Sequence, residues 1–181
     1  MIEGKQSRIR GIERDDAAAL QRFYDPQHPR ASLLDNRMEP ALPTRDELRE
    51  LLGKDGKQRG QLFAVEEMDG RIAGFCSLRG AQGESNFAEA ALLLNEDDAY
   101  EAELAGEALE FLKARAFIRQ GLNKIFAQCL ESEAAFRACL LRHGFTSDGA
   151  RREAFHSGGR MHDVEALSFF ARDYNHAGGN A

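Results

Sequence analysis

Residues 87–130 read FAEAALLLNEDDAYEAELAGEALEFLKARAFIRQGLNKIFAQCL, and this stretch decides the fold. The apolar run at 87–94 predicts a strand buried on both faces, and hence a central strand of a sheet. Alanine and leucine then recur at helical spacing over residues 100–120, and Gly121 stands where a helix is expected to end. A short strand at 124–129 follows. The stretch therefore predicts a strand, a long helix and a second strand in direct succession.

The flanking sequence adds five strands and three helices. Asp69-Gly70 is a strong hairpin signal, because glycine tolerates positive φ. Thr44 and Glu47 have the spacing of a capping box, and Asp15 or Asp16 is suited to cap an earlier helix. The added strands are expected at residues 7–13, 62–68, 71–79 and twice within 149–170, and the added helices at 17–23, 44–53 and 131–143. This order predicts one α/β domain, a mixed sheet of about six to seven strands flanked by about four helices.

Two segments lie outside these elements. Residues 24–43 contain four prolines, and an irregular stretch of that length in a compact domain is often functional. Residues 175–181 are polar and glycine-rich, which predicts a disordered tail behind a single domain at 1–174.

Composition narrows the class of partner. The chain has 181 residues and a net charge of −6, which argues against binding nucleic acid through a basic field. It has no run of about 18 apolar residues, so we expect no membrane-spanning helix. The polar N-terminus does not resemble a signal peptide, and three cysteines within apolar stretches are typical of reduced thiols. These features predict a cytoplasmic protein.

Six short fragments carry a resemblance to a known family. They fall in the family's order and spacing, and they read EAL at 107–109, AF at 116–117, GLNKI at 121–125, LLRHGF at 140–145, GARRE at 149–153 and GRMHDV at 159–164. With the order of elements upstream, they resemble the GNAT superfamily of N-acetyltransferases, and in detail its RimJ/RimL-like branch.

The resemblance implies acetyl-CoA as the co-substrate and an opening between strands 87–94 and 124–129. The pantetheine arm is expected along the first of these strands, and the pyrophosphate on amides at the start of the next helix, where orphan N–H groups and the helix dipole favour an anion. The residues that the resemblance assigns to the cofactor are Leu93, Leu94, Asn95, Glu101, Ala102, Glu103, Leu104, Ala105, Glu133 and Phe136. The acceptor is expected to be a primary amine of a small molecule, a protein N-terminus or a lysine, which attacks the thioester directly.

Three carboxylates depart from the family's pattern. Glu101 and Glu103 occupy the positions of two glycines in the pyrophosphate loop, and Glu133 takes the place of an asparagine. Glycine is wanted where a phosphate approaches the main chain, and a carboxylate adds both bulk and repulsion. Two hypotheses therefore stay open: an acetyl-CoA-dependent N-acetyltransferase, and a non-catalytic binding or assembly module of the same fold. Both allow a homodimer.

Candidate chemical groups are few. Glu89 is the candidate general base, provided that its side chain faces the acceptor. Tyr100 is expected to pack at the start of the long helix. His162 and Asp163 are either a base with its orienting carboxylate or solvent-facing strand residues. The spacing of the histidines predicts no metal site.

Overall fold

The computed structural model describes residues 2–24, 43–53, 61–80, 86–157 and 159–177. The strands and helices are, in chain order, β1 (Ile2–Glu3), β2 (Ser7–Gly11), α1 (Ala17–Gln21), α2 (Arg45–Gly53), β3 (Gln61–Glu67), β4 (Ile72–Arg79), β5 (Phe87–Leu94), α3 (Glu103–Ala114), β6 (Lys124–Leu130), α4 (Ala134–Arg142), β7 (Thr146–Ser157), β8 (Arg160–Phe170) and α5 (Ala171–Ala177).

The strands form one mixed sheet in the order β1-β2-β3-β4-β5-β6-β8-β7. Every neighbouring pair is antiparallel except β5 and β6, which are parallel. A parallel pair needs a crossover connection, and α3 supplies it. The predicted mixed α/β sheet with flanking helices is therefore confirmed.

The two faces of the sheet carry separate cores. Alternate residues of β5, from Ala88 to Leu94, lie in the larger core with the buried faces of α3 and α4. Leu93 points the other way and packs in a smaller core with α1, α2 and Phe75. Because side chains alternate along a strand, Glu89 and Ala91 share the face of Leu93. Each face of β5 thus packs against a different set of helices.

Two local sequence patterns correctly predicted the start of α2 and the turn between β3 and β4. The Thr44 N–H donates to Glu47 Oε2 at 2.7 Å, and the Glu47 N–H donates to Thr44 Oγ1 at 3.2 Å, as a capping box requires. Gly70 has φ of 91° in the turn between β3 and β4, a conformation in which a side chain would be strained.

The first helix begins at Ala17 as predicted, with Asp16 in the N-cap position, but the predicted side-chain cap was wrong. A 3-10 turn, Arg14–Asp16, precedes α1, and Asp16 does not cap α1 with its side chain. The Asp16 carboxylate instead accepts from the Glu13 N–H at 2.7 Å and from Arg10 Nη1 at 2.8 Å. An ion pair reaching back to β2 has no signature in the local sequence.

The long helix and the chain ends also differ in detail from expectation. The α-helical part of residues 100–120 is Glu103–Ala114, preceded by a 3-10 turn and followed by the π-helical turn Arg115–Arg119. β1 and α5 are additional elements. α5 covers residues 175–177 of the predicted tail; residues 178–181 lie outside the described ranges, as do residues 25–42 of the proline-rich segment.

Glu107 fastens the N-terminal strands to α3. Its carboxylate accepts hydrogen bonds from the amides of Lys5, Gln6 and Ser7 and from the Ser7 hydroxyl, at 2.6 to 3.4 Å. Burial by itself raises the pKa of Glu107, but the hydrogen bonds from Ser7, Gln6 and Lys5 outweigh it, and the pKa is lowered below its usual value.

We expect Glu107→Gln to lower the free energy of unfolding by about 1.5–3 kcal/mol at pH 7, the usual worth of hydrogen bonds to a charged group. A lowered folded-state pKa means that the carboxylate stabilises the fold above its unfolded-state pKa of about 4.3 and loses this effect as pH falls through the folded-state pKa. Urea unfolding of both proteins from pH 7 down to pH 3 should show the difference shrinking. Glu103→Gln on the same helix is the control, because its carboxylate is 52% exposed and its ion pair is worth little. An equal loss in the control would contradict the assignment.

Candidate active site

The sheet opens between β5 and β6. The two strands pair only at Phe87 with Lys124, Ala88 with Ile125 and Glu89 with Phe126. Beyond Glu89, β5 runs on to Leu94 while β6 runs on to Leu130, with no further ladder between them. The β5 edge facing the opening therefore has main-chain groups that the sheet does not use.

The side chain of Tyr100 occupies that edge. The Leu94 N–H donates to the Tyr100 hydroxyl at 3.0 Å, and the hydroxyl donates to the Leu92 carbonyl at 3.3 Å. Tyr100 is 3% exposed, and its ring lies 5.2 Å from the ring of Phe136, which is 2% exposed. Sequence reasoning placed Tyr100 at the helix start and missed its reach into the opening. The Tyr100 hydroxyl therefore bonds the same two main-chain groups, the Leu94 N–H and the Leu92 carbonyl, that an amide group of a ligand would bond at this edge.

The start of α3 lies beside the end of β5. Ala102 is the N-cap residue and provides no side-chain cap, so the first turn of α3 keeps amides without a capping acceptor. The amides of Glu101 and Ala102 are used by the preceding turn, donating to Asp98 and Ala99 at 2.9 and 3.3 Å. The Ala105 N–H donates to the Ala102 carbonyl at 3.2 Å. Of the five residues predicted to hold pyrophosphate, Glu103 and Leu104 thus have the best-placed N–H groups.

A cleft of about 480 Å³ adjoins this helix start. Its wall includes Ala102 and Leu104 of the predicted loop, Asn95 at the end of β5, and the side chains of Arg22 and Arg71. Glu67, Glu96 and Asp98 also line it, and Arg71 bonds Glu67 at 2.8 Å. The cleft therefore has both an amide-rich helix start and cations, but their charge is partly balanced by carboxylates.

Glu101 and Glu103 do not line this cleft. Both are exposed, and Glu103 lies 3.6 Å from Lys5 Nζ. The predicted repulsion of a phosphate is weakened by this outward placement, because water screens exposed charges.

The Glu133 carboxylate bonds the main chain of the turn between β6 and α4. The Leu130 N–H donates to Glu133 Oε2 at 2.7 Å, and the Glu133 N–H donates to the Leu130 carbonyl at 3.0 Å. The carboxylate thus joins the end of β6 to the start of α4.

Glu89 lies at the apex of the opening, on the face away from α3 and α4. Arg79 Nη2 donates to Glu89 Oε2 at 2.7 Å, and Gln128 Nε2 donates to Glu89 Oε1 at 3.2 Å. The side chain is 15% exposed. The sequence made the role of Glu89 conditional on its side chain facing the acceptor, so its role as general base stays a prediction that requires the acceptor to approach this face.

Neither alternative for His162 and Asp163 is correct, because the two side chains point to opposite faces and His162 is only 7% exposed and so does not face solvent. Adjacent strand residues point to opposite faces, and Asp163 accepts from the Glu153 N–H at 2.8 Å. The carboxylate near His162 is that of Glu131, with Oε1 at 3.7 Å from Nδ1.

A mixed sheet that opens at its one parallel pair, with a helix start at the rim of the opening, is the architecture of an acyl-CoA-dependent acyltransferase domain. A model of the acetyltransferase (GNAT) domain matches residues 7–146, and the chain belongs to this family. Family and fold agree with acetyl-CoA-dependent N-acetylation. No helix in the described ranges is long and apolar enough to span a membrane.

Solved structures share the fold over most of the chain. The spermidine N-acetyltransferase from Vibrio cholerae, in complex with CoA and spermine, has 20% identity and a TM-score of 0.80, covering 94% of this chain and 99% of that one. A dodecameric structure of the same enzyme has 21% identity and a TM-score of 0.76, with 97% and 99% covered. A GNAT-family acetyltransferase from Bacillus anthracis has 16% identity and a TM-score of 0.72, with 94% and 98% covered. No curated protein sequence matches the chain significantly.

Proposed function

We propose that the chain transfers an acetyl group from acetyl-CoA to a primary amine. The observation that carries this proposal is the edge of β5 that β6 leaves unpaired, where the Leu92 carbonyl and the Leu94 amide face the opening and bond the Tyr100 side chain, in a chain of the GNAT family. A strand edge of this kind pairs with an extended ligand through main-chain hydrogen bonds.

The site residues have distinct proposed roles. Of the predicted residues Leu93, Leu94 and Asn95, Leu94 offers its N–H to the pantetheine arm, together with the Leu92 carbonyl, once the Tyr100 hydroxyl gives up its two bonds. The Asn95 N–H is bonded to the Ala73 carbonyl of β4, so Asn95 shapes the end of the edge instead. The N–H groups of Glu103 and Leu104 hold the pyrophosphate at the start of α3, while Ala102 and Ala105 keep the main chain accessible. Phe136 packs at the inner wall, and Glu101 and Glu133 lie at the rim. Acetyl-CoA supplies an activated thioester.

Glu89 is proposed to hold the attacking amine. The amine nitrogen bonds to the acetyl carbonyl carbon as the carbon–sulfur bond breaks, the amine loses one proton, and the leaving sulfur gains one. A carboxylate that accepts a hydrogen bond from the amine favours loss of that proton. The Arg79 guanidinium holds the carboxylate in place at 2.7 Å.

A second candidate function rests on Tyr100. The hydroxyl and ring fill the route that the cofactor arm would take, and both Tyr100 and Phe136 are buried. This filled opening favours a non-catalytic module in which Tyr100 replaces the ligand permanently.

Thermal unfolding with acetyl-CoA separates the two candidates. At about 100 times its dissociation constant, a ligand stabilises the fold by about 2.7 kcal/mol, which raises the midpoint by about 5–10 °C in a protein of this size. In Tyr100→Phe the hydroxyl no longer competes for the β5 edge, so we expect acetyl-CoA to bind about 2–10 times more tightly, the usual net worth of a hydrogen bond. The variant itself should be less stable, because the Leu94 N–H loses its acceptor.

Tyr174→Phe is the matched control, because Tyr174 packs on Phe117 at 5.5 Å, away from the opening. It should leave the affinity unchanged. Absence of any shift in both the wild type and Tyr100→Phe, repeated with CoA and a longer acyl-CoA, would favour the non-catalytic module.

Four finer assignments belong to the same proposal. We place the chain in the RimJ/RimL-like branch on the six sequence fragments, and residues 1–174 in one domain because the described strands share one sheet. A homodimer is proposed on the precedent of oligomeric relatives such as the dodecameric enzyme. A cytoplasmic location is supported by the three cysteines, Cys76, Cys129 and Cys139, which are buried as thiols, with burial raising the pKa of the Cys76 thiol.

A further inference from the structure

Four polar side chains form a row across the face of the sheet that carries Glu89. Arg79, Glu89, Gln128 and Arg151 come one each from β4, β5, β6 and β7. Arg79 bonds Glu89, Glu89 bonds Gln128, and the Gln128 side-chain oxygen accepts from Arg151 Nη2. The row starts beside the apex of the opening and ends at an exposed arginine.

Gln128 bridges a negative group and a positive group. A carboxylate only accepts and a guanidinium only donates, so the carboxamide must turn its nitrogen to Glu89 and its oxygen to Arg151. Two hydrogen bonds and the width of one amide place Arg151 Nη2 within about 8 Å of Glu89 Oε1.

An amino acid has the same polarity as the Gln128 carboxamide and matches this span when it takes the place of that carboxamide. Its ammonium and carboxylate lie about 3 Å apart, and a hydrogen bond of about 2.8 Å at each end brings the total to about 9 Å. We propose, on the basis of the proposed function, that the acceptor is a free α-amino acid, with its amine on Glu89 and its carboxylate on Arg151.

The net charge of the row favours an acceptor that has a carboxylate and disfavours a polyamine as the acceptor. Two guanidiniums and one carboxylate leave one positive charge in excess. Arg79 is compensated by Glu89 at 2.7 Å, whereas Arg151 contacts the neutral Gln128. A second ammonium beyond the reacting amine would meet Arg151, and like charges at such distances repel. A carboxylate there gains a charge-assisted, bidentate partner.

The position of each member suits its role. Glu89 is 15% exposed, so it lies at the surface of the apex, and Arg151 is exposed at the far end. Lys124, on the same face, is bonded to Asp148 at 2.7 Å and adds no net charge. Arg151 is therefore the specificity-determining residue of the row, and Arg79 is a positioning residue.

Acetylation kinetics with matched acceptors test the proposal. Each standard amino acid, the carboxamide of the best one, and spermidine are assayed with acetyl-CoA. We expect the amino acid to exceed its carboxamide at least 10-fold in kcat/KM. Arg151→Gln should raise KM for the amino acid about 10- to 50-fold and change the value for the carboxamide less than twofold. Arg152→Gln, at an exposed neighbour of Arg151 that is not a member of the row, is the matched control and should change neither.

Two outcomes would overturn the inference, and they are distinguishable from failure of the proposed function. A preference for spermidine or for the carboxamide leaves the acetyltransferase standing and removes the amino acid as acceptor. If no amine is acetylated, calorimetry of each amino acid without acetyl-CoA still tests the inference. Binding to the wild type that is abolished by Arg151→Gln supports the row as an amino-acid site. Absence of binding to the wild type overturns it. Failure of acetyl-CoA to bind at all removes the proposed function independently.

Discussion

Glu89→Gln is expected to lower kcat/KM for the amine acceptor about 100- to 1,000-fold, the range over which a positioned acid or base usually contributes. The substitution keeps the size of the side chain, but the new carboxamide oxygen accepts from only one of the two donors, Arg79 and Gln128, and the charge that attracts an ammonium and assists loss of its proton is removed. Affinity for acetyl-CoA should stay within twofold, because the cofactor contacts the opposite side of the opening. Steady-state kinetics with varied acceptor, together with calorimetry of acetyl-CoA, measure both quantities.

The control for this variant is Glu3→Gln. Glu3 pairs with Arg8 at the surface of the outer strands, 3.1 Å apart, so its loss should leave the rate unchanged. Retention of the wild-type rate within threefold by Glu89→Gln would remove Glu89 from the catalytic machinery, and a neighbouring water would then be the better candidate for the proton acceptor.

Gly74→Ala is expected to lower the free energy of unfolding by about 3 kcal/mol, at the upper end of the cost of overpacking a core. A Cβ at Gly74 would lie 2.0 Å from the Leu93 carbonyl oxygen and 2.9 Å from Leu94 Cδ2. The first of these atoms is main chain, so the clash is relieved only by moving β5. Because the same stretch of β5 faces the opening, acetyl-CoA affinity should fall together with stability.

Thermal and urea unfolding measure the loss at Gly74, which corresponds to about 6–12 °C in the midpoint. Gly11→Ala is the matched control: Gly11 ends β2, and a Cβ there meets nothing within 4 Å. It should be neutral or slightly stabilising, because alanine restricts the unfolded chain. Equal midpoints for Gly74→Ala and Gly11→Ala would contradict the close approach of the β5 main chain.

Sequence reasoning succeeded where the signal is local or periodic. The Thr44–Glu47 capping box, the turn at Gly70 and the strand–helix–strand order around α3 each depend on residues a few positions apart. These features were sufficient to predict the mixed sheet, and the resemblance to the GNAT superfamily implied the location of its opening. The side of the sheet on which Glu89 lies was left open by the sequence.

What could not be predicted depends on contacts between distant segments. Tyr100 reaches main-chain groups of Leu92 and Leu94, and nothing in a single tyrosine distinguishes this from ordinary packing. Glu103 lies beside Lys5 of the N-terminal segment, and the partner of Gln128 on β7 is Arg151. A sequence gives the types of these residues but not which of them meet.

The short ladder between β5 and β6 also bears on how the chain folds. Phe87 pairs with Lys124 across an intervening helix, whereas β4 pairs with β3 and with β5, to which it is joined by short connections. Because contacts between distant segments form more slowly than local ones, we expect the meander β3–β5 and the hairpin β7–β8 to form first and the three-residue seam between β5 and β6 to close after them. The opening is then the place where two separately formed halves of the sheet stop short of joining.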